Sequence, residues 1–314
     1  MASSNELFTI PIRDSKGHQC GTIVCTTPAP QVYVLTWSAP PDNRLTSGFV
    51  AALSAALNAV EFGGYPAGVL VTASALPKFY SNGLDLEAAV GTPGFFEREL
   101  YPLWRRLLTY PMPTVAVVGG HCFAGGLMLA MHHDYRVFTG GARGFLCLNE
   151  LEFGMPLMPP MSAVFRLKTS PPVYRRLVLE AHRFGGPEAL EAGLVDALGS
   201  NSVGSGGGGS SSSSISSMSS GSSDSGAGAG VGVGAALDFI RERGLLAKAK
   251  SGVYGLLKAE MYREGVALLD AEGGGRAELA ALQAAEKKRK AEGARWMEQL
   301  RRSQGDGGSE KPKL

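Results

Sequence analysis

The chain has 314 residues and a net charge of +2 at pH 7, and 44% of its residues are hydrophobic, close to an ordinary globular chain. That length supports a real hydrophobic core, and the nearly balanced charge argues against binding to nucleic acid. No apolar run reaches the ~18 residues that span a bilayer, and the N-terminal segment lacks the basic and apolar regions of a signal peptide. We expect neither a membrane-spanning nor a secreted protein.

Strand-like and helix-like segments alternate along the first two thirds of the chain. Residues 31–37 alternate and are rich in β-forming residues, which predicts a strand. Short apolar runs predict buried strands at 68–72 and 114–118, and residues 135–138 and 145–148 are expected to form short strands. Apolar residues at helical spacing predict helices, which are 47–61, 95–108, 125–132 and further helical structure from 163 onward. Thr46 or Ser47 is the expected cap of the first helix. The alternation predicts an α/β fold with buried strands.

A segment rich in glycine and serine extends from Gly199 to Gly234. Of its 36 residues, 12 are glycine and 15 are serine, and Asp224 is its only charged residue. Such a composition buries too little apolar surface to offset the entropy lost on ordering. We predict a disordered insert at 199–234 between a core at 1–198 and C-terminal helices of the same domain at 235–302. Residues 303–314 are expected to form a flexible tail. The expected C-terminal helices are 235–250, 253–270 and 276–302.

Two glycine-containing stretches are candidates for ligand binding through the backbone. In residues 78–86, Gly83 follows a strand in a polar turn, where N–H groups can face a ligand. An ordinary strand-to-helix turn has the same pattern. In residues 117–130, a strand, a glycine-rich bend and an apolar helix can aim helix N-terminal N–H groups at an anion or oxyanion. Close packing of the helix is the alternative use of those glycines.

Residues 146–156 carry the acidic candidates. Glu150 and Glu152 lie among apolar residues, two positions apart, so they share a face in extended chain. Burial against an apolar wall raises the pKa of an acid, which can then act as a general base near neutral pH. A surface acid on a loop is the alternative interpretation.

Metal and thiol chemistry have weaker support in the sequence. The cysteines form no Cys-x-x-Cys pair; they are Cys20, Cys25, Cys122 and Cys147. His132 and His133 are adjacent, so on a helix they point about 100° apart, and no His-Glu-x-x-His motif occurs. We therefore predict no metal site, no disulfide framework, and no cysteine nucleophile beside His121.

Taken in order, these stretches resemble the crotonase (enoyl-CoA hydratase/isomerase) superfamily. The motifs that carry the resemblance are Asn43-Arg-Leu45, Phe79 to Leu86, Pro113 to Asp134 and Leu148 to Pro156. Four short motifs look most like peroxisomal delta(3),delta(2)-enoyl-CoA isomerases of plants and algae: Ser81-Asn-Gly-Leu-Asp-Leu86, Tyr110-Pro-Met-Pro-Thr114, His133-Asp-Tyr-Arg136 and Asn149-Glu150. The resemblance implies a spiral of strand-strand-helix units with C-terminal helices, and a homo-oligomer, either a trimer or a hexamer.

The resemblance also implies catalytic roles. The oxyanion hole of the family consists of two backbone N–H groups, which fall here on Leu84 and Gly125, and its isomerase base falls on Glu150. The hydratases of the family carry a second catalytic glutamate at the position of Met128. Because adding water needs two groups that handle protons and moving a double bond needs one, Met128 favours an isomerase.

Further contacts with the substrate follow from the same motifs. The implied substrate-binding residues are Ser81, Asn82, Gly83, Leu84, Asp85 and Gly125. Glu152 is expected to face away from the site or to be partly solvated. Lys258 is a candidate for contact with the CoA phosphates, and a solvated helix face is the alternative.

The implied reaction is isomerisation of 3-enoyl-CoA to trans-2-enoyl-CoA in unsaturated fatty-acid β-oxidation, without a metal or other cofactor. The alternatives are a hydratase or another enolate-forming acyl-CoA enzyme, and a catalytically silent CoA-binding paralogue. Pro312-Lys-Leu314 resembles the peroxisomal address Ser-Lys-Leu. We therefore expect recognition by the peroxisomal import receptor through Lys313 and Leu314, and a peroxisomal or otherwise intracellular location.

Overall fold

Two β-sheets form the framework of the fold in a computed structural model that describes residues 5–199 and 227–305. The strands are β1 (Glu6–Arg13), β2 (Gln19–Ala29), β3 (Val32–Ser38), β4 (Val69–Ser74), β5 (Phe79–Ser81), β6 (Thr114–Val118), β7 (His121–Phe123), β8 (Tyr135–Phe138), β9 (Leu146–Cys147) and β10 (Ala197–Leu198). Within the described residues, the larger sheet has the strand order β1-β2-β3-β4-β6-β8-β10 and the smaller sheet the order β5-β7-β9.

The direction of the strands follows from how they are connected. Strands β1, β2 and β3 pair antiparallel, whereas β3, β4, β6, β8 and β10 run parallel. The smaller sheet is parallel as well. After β4, β6 and β8, the chain adds one strand to the smaller sheet and then forms a helix before it returns. This repetition of strand, strand and helix is the α/β architecture that the sequence predicts.

The helices flank these strands. They are α1 (Ser47–Phe62), α2 (Leu86–Gly91), α3 (Tyr101–Leu108), α4 (Gly125–Met131), α5 (Pro159–Lys168), α6 (Pro171–Leu179), α7 (Gly186–Glu191), α8 (Ala227–Glu242), α9 (Leu245–Ala249), α10 (Tyr254–Met261), α11 (Arg263–Asp270) and α12 (Arg276–Gly305). A π-helical turn, Phe95–Leu100, precedes α3, and a 3₁₀ turn, Glu272–Gly275, precedes α12. Thr46 caps α1 by accepting a hydrogen bond from the Phe49 N–H. None of the described helices is long and apolar enough to cross a membrane.

The central strands of the larger sheet are buried on both faces, which explains their continuous apolar runs. In β6, Ala116 and Val118 face the main core with α1, α3 and α4, whereas Val115 and Val117 face a second core under α8. A strand covered on both faces has no polar side to alternate with. The main core lies between the larger sheet and the layer that contains α4 and the smaller sheet. The cavity described below lies on the same side of the larger sheet.

The C-terminal helices differ from the expected ones. The helix expected from Ala235 begins at Ala227, and residues 200–226 of the expected insert lie outside the described residues, as do residues 306–314 of the expected tail. Glycine is useful in α8, because a Cβ on Gly232 would lie only 2.9 Å from Val117 Cγ1. The small residue therefore lets α8 approach the sheet closely. The single helix expected at 253–270 is broken at Tyr262 into α10 and α11.

Candidate active site

A cavity of about 570 Å³ opens at the N-terminus of α4, a size typical of ligand sites. Most of its wall is apolar and includes Leu84, Leu86, Val90, Phe96, Met128, Phe153, Met155, Met158, Met161 and Leu279. Its polar side chains are Arg44, Asn82, Tyr101, Asn149, Glu150, Arg276 and Gln283. Glu150 is therefore the one acidic side chain among the described residues that line this cavity. An apolar wall with few polar groups suits a largely hydrophobic ligand that must be held in one orientation.

The loop after β5 carries a free backbone N–H group at Leu84, a residue of the cavity wall. Gly83 has φ +86, and its N–H donates to Ser81 Oγ at 3.1 Å, while that hydroxyl donates to Asn43 O at 2.8 Å. Gly83 O accepts from the Leu45 N–H at 2.9 Å. These bonds fix the turn and leave the Leu84 N–H without an acceptor among the described residues.

A second free N–H group lies at the start of α4. Ala124, just before α4, has φ +48. In a residue other than glycine, this conformation carries a free-energy cost on the order of 1–3 kcal/mol. The Gly125 N–H that follows has no acceptor among the described residues. A Cβ on Gly125 would lie 3.4 Å from Leu84 N, and a Cβ on Gly83 would lie 3.1 Å from Gly125 N. The two free N–H groups are thus close neighbours in the wall of the cavity.

Glu150 lies on a tight turn after β9. Its carbonyl oxygen accepts from the Phe153 N–H at 3.2 Å and from the Met155 N–H at 2.9 Å. Burial raises the pKa of its carboxyl to about 7, although a hydrogen bond from its own backbone N–H acts in the opposite direction. Oε2 is buried and has no hydrogen-bond partner among the described residues. A carboxyl with this pKa can take up and release a proton near neutral pH.

Asn149, the neighbour of Glu150 in the chain, is another of the polar side chains in this cavity. Its Oδ1 atom is also buried without a hydrogen-bond partner among the described residues. No property of its own in the sequence marks Asn149 as a site residue; only the motif Asn149-Glu150 includes it. Met128, on α4, is 1% exposed and adds an apolar side chain to the wall.

Comparison with known proteins decides the family. Residues 29–203 match the model of the enoyl-CoA hydratase/isomerase family. The chain belongs to this family. Enoyl-CoA delta isomerase 3 of Arabidopsis thaliana is 31% identical over 179 residues, 54% of this chain and 74% of that relative. Enoyl-CoA delta isomerase 2, peroxisomal, from the same plant is 32% identical over 181 residues, 54% of this chain and 75% of the relative.

Solved structures show the same crotonase fold. The human mitochondrial delta3-delta2-enoyl-CoA isomerase superimposes with a TM-score of 0.59 at 20% identity, covering 86% of this chain and 99% of that one. A probable enoyl-CoA hydratase of Mycobacterium tuberculosis gives a TM-score of 0.62 at 20% identity with the same coverage. The fold predicted from the resemblance is confirmed.

The residues expected to bind substrate in this enoyl-CoA hydratase/isomerase family member divide into two groups. Asn82, Leu84 and Gly125 line the cavity. The other three, Ser81, Gly83 and Asp85, are absent from its wall among the described residues. The Ser81 hydroxyl is buried within the turn, and the Asp85 carboxylate caps α2 by accepting from the Ala88 N–H at 3.3 Å. Ser81 and Asp85 thus shape the loop rather than line the cavity.

The structure does not support the expected contact of Lys258 with the CoA phosphates. Its Nζ forms an ion pair with Asp134 at 2.9 Å, and the two side chains are 6% and 9% exposed. Because it is buried and paired with Asp134, its charge is not available to a CoA phosphate. Glu152, by contrast, is exposed as expected and lies 3.5 Å from Arg183.

The adjacent histidines of this family member are also buried in the structure. Nδ1 of His132 lies 2.7 Å from Met128 O, and Nδ1 of His133 lies 3.0 Å from Leu129 O. Burial lowers the pKa of each imidazole to about 3, so both are neutral at physiological pH. Among the described residues, no group of three or more His, Cys, Asp or Glu side chains could hold a metal ion.

The first turns of α12 also form part of the cavity wall, and the sequence does not reveal this contribution. Arg276 and Leu279 line the cavity, and Arg276 pairs with Glu97 of the π-helical turn at 2.9 Å. Gly274, just before α12, has φ +56, and a Cβ on it would lie 2.6 Å from Tyr101 Cε2. The turn that leads into α12 is therefore packed closely onto the core of this enoyl-CoA hydratase/isomerase family member, whereas most of the described residues of α12 are exposed. No short motif could have indicated this contact, because the partners are far apart in the chain.

Proposed function

We propose that the protein is a delta(3),delta(2)-enoyl-CoA isomerase that converts 3-enoyl-CoA into trans-2-enoyl-CoA. The observation that carries this proposal is the cavity in which Glu150 is the one acidic side chain among the described lining residues. Its pKa of about 7 and the two neighbouring free N–H groups of Leu84 and Gly125 support the same chemistry. The relatives named as enoyl-CoA delta isomerases add further support.

The backbone donors stabilise negative charge in this mechanism. The thioester carbonyl oxygen accepts hydrogen bonds from the N–H groups of Leu84 and Gly125. When a proton leaves the α-carbon of the acyl chain, the charge of the resulting dienolate gathers on that oxygen. Each preorganised donor contributes on the order of 3 kcal/mol to the transition state. The turn at Gly83 and the strained conformation of Ala124 hold these donors in place before the substrate arrives.

Glu150 transfers the proton. Its carboxylate removes a proton from the α-carbon, and the electron pair of the broken C–H bond enters the conjugated dienolate. The carboxyl then delivers its proton to the γ-carbon, so the double bond moves from the β,γ to the α,β position and the charge on oxygen is released. One acid suffices for both steps, and no metal ion or redox cofactor takes part. The apolar Met128 lines the same cavity, and by the family resemblance it stands at the position of the hydratases' second catalytic glutamate, which supports an isomerase.

The proposal is tested with purified protein and a 3-enoyl-CoA, with absorbance of the conjugated thioester as the readout. We expect turnover of the 3-enoyl-CoA and little hydration of a 2-enoyl-CoA. Rapid hydration of the 2-enoyl-CoA would contradict the argument from Met128. Binding of acyl-CoA without either reaction would indicate a catalytically silent paralogue instead.

We also propose a peroxisomal location and a homo-oligomeric state. Relatives with peroxisomal in their names support the location, and Lys313 and Leu314, which lie outside the described residues, are the proposed contacts with the import receptor. The protein with a fluorescent protein fused to its N-terminus should enter peroxisomes, and the same fusion without Lys313 and Leu314 should stay outside them.

The exposed Leu256, Leu257 and Met261 on α10 support a contact between subunits. Light scattering should give the mass of a trimer or hexamer.

A further inference from the structure

The side-chain amide of Asn149, a residue of the cavity wall, has an incomplete set of hydrogen bonds. Its Oδ1 atom is inaccessible to water and has no donor among the described residues. Such an atom lowers stability unless something supplies a donor, because it has given up its hydrogen bonds to water. Asn149 is only partly buried and lines the cavity, so a turn of its side-chain amide would bring Oδ1 to a bound ligand that supplies the donor.

The surrounding protein groups do not supply the donor. Arg44 Nε and Asn82 Nδ2, which share the cavity, both donate to Asp42 Oδ2, at 2.9 Å and 2.7 Å. The adjacent Glu150 makes no hydrogen bond with the Asn149 side chain, and its pKa reflects burial and its own backbone N–H alone. The unpaired oxygen is therefore not part of a network within the described part of the protein.

The chemistry of an acyl-CoA narrows the choice of donor. The hydrocarbon chain and the thioester carbonyl carry no donor. The arm that joins the sulfur to the nucleotide contains amide N–H groups, and an ethylene linker separates the nearer one from the sulfur. With the thioester between Leu84, Gly125 and Glu150, that N–H is the first donor along the arm, and Asn149 is the neighbour of Glu150 in the chain.

We propose that Asn149 Oδ1 accepts a hydrogen bond from the amide N–H nearest the sulfur of the bound acyl-CoA. The inference rests on the proposed function, because it assumes an acyl-CoA in the cavity. This contact fixes the carrier arm relative to Glu150 and thereby helps to select a thioester with an amide-containing arm. A site built to bond an N–H group discriminates strongly against a ligand that lacks it, because its own polar atom is then left unpaired.

The test is a cycle of binding measurements with unreactive ligands. Dissociation constants are measured by calorimetry for hexanoyl-CoA and for an analogue in which a methylene replaces the N–H of that amide. The wild-type protein should bind hexanoyl-CoA about 10- to 100-fold more tightly than the analogue. In Asn149→Ala the ratio of the two constants should fall by about 10-fold, and the variant's circular dichroism spectrum should match that of the wild type.

Two further variants distinguish the contact from a change in cavity shape. Asn149→Asp keeps an acceptor oxygen and should keep the wild-type ratio. Met155→Ala changes the wall of the same cavity without altering a polar atom and should also keep it. A ratio in Asn149→Ala equal to that of the wild type overturns the proposal, as does a ratio near one in the wild type.

The binding test of the Asn149 contact can fail without the isomerase test of the proposed function failing, and the reverse also holds. A wild-type protein that shows the Asn149-dependent ratio but does not isomerise 3-enoyl-CoA contradicts the proposed function alone. A protein that isomerises 3-enoyl-CoA with no dependence of the ratio on Asn149 contradicts this inference alone.

Discussion

The carboxyl of Glu150 combines a chemical advantage with a cost in stability. It is buried in a largely apolar cavity, and Oε2 has no partner among the described residues. These surroundings favour the neutral acid and raise its pKa to about 7. A base with that pKa takes a proton more readily than an ordinary carboxylate, but it is half protonated near neutral pH.

The first prediction concerns the pH dependence of catalysis. The base must be deprotonated to take a proton from the α-carbon, so kcat/KM should fall about tenfold for each pH unit below about 7 and level off above it. Initial rates with a 3-enoyl-CoA between pH 5 and 9 provide the measurement. A profile that bends near 4.5 would show that the base is an ordinary solvated carboxylate.

The second prediction concerns stability. The folded protein holds the Glu150 proton up to about pH 7, whereas the unfolded chain loses it near 4.5, so the folded state is penalised progressively as pH rises between these values. Glu150→Gln removes the penalty and should increase the free energy of unfolding by up to about 3 kcal/mol at pH 8. Near pH 4 the difference should be small. Urea denaturation at both pH values measures it, and an equal effect at the two would contradict the burial argument.

At the scale of elements, the connection into α12 depends on consecutive glycines with positive φ. Gly273 has φ +72, and a Cβ on it would meet no atom within 4 Å, whereas a Cβ on Gly274 would lie 2.6 Å from Tyr101 Cε2. The two positions thus separate the cost of the backbone conformation from the cost of close packing.

The third prediction uses this matched pair. Gly273→Ala should lower the free energy of unfolding by about 1–2 kcal/mol through backbone strain alone. Gly274→Ala should cost about 1–3 kcal/mol more, because Tyr101 must move. Since Tyr101 and α12 line the cavity, only Gly274→Ala should also weaken binding of acyl-CoA. Equal effects of the two substitutions would mean that Gly274 is not packed against Tyr101 as described.

The fourth prediction separates structure from ligand binding on α10. Lys258→Met leaves Asp134 buried with the Thr114 N–H at 2.8 Å as a remaining partner, which should cost about 3–5 kcal/mol of stability. Affinity for acyl-CoA should stay unchanged, because Lys258 is not in the cavity wall. Thermal unfolding and calorimetry provide the two readouts. A tenfold loss of affinity without loss of stability would restore the phosphate-binding role.

For the whole molecule, the sequence reveals elements that are buried on both faces better than those at the edges. The apolar runs of β4, β6 and β8 are recognisable because α8 covers one face and the main core the other. Strand β1 contains Pro11, which is tolerated because β1 lies at the edge of the sheet. Strands β5, β7, β9 and β10 have two or three residues, too few for a periodic pattern, and only β9 falls within a predicted strand.

The residues of the candidate site also differ in how far the sequence reveals them. Leu84, Gly125 and Glu150 can be proposed from sequence because they lie in local motifs with a fixed order. The contribution of Arg276 and Leu279 depends on how α12 folds back onto the cavity, which no local pattern records. The expectation that Lys258 contacts the phosphates rests on a loose resemblance in the C-terminal helices, and such a resemblance does not tell a solvated lysine from the buried one that pairs with Asp134.

The most direct test of the account is the isomerase rate of Glu150→Gln compared with that of Glu152→Gln. Both substitutions remove one carboxylate from the same turn, but only Glu150 lines the cavity, and Glu152 is exposed. With a 3-enoyl-CoA as substrate, Glu150→Gln should lower kcat by at least about 10²-fold, while Glu152→Gln should stay within about twofold of the wild type. Wild-type turnover by Glu150→Gln would contradict the proposed mechanism.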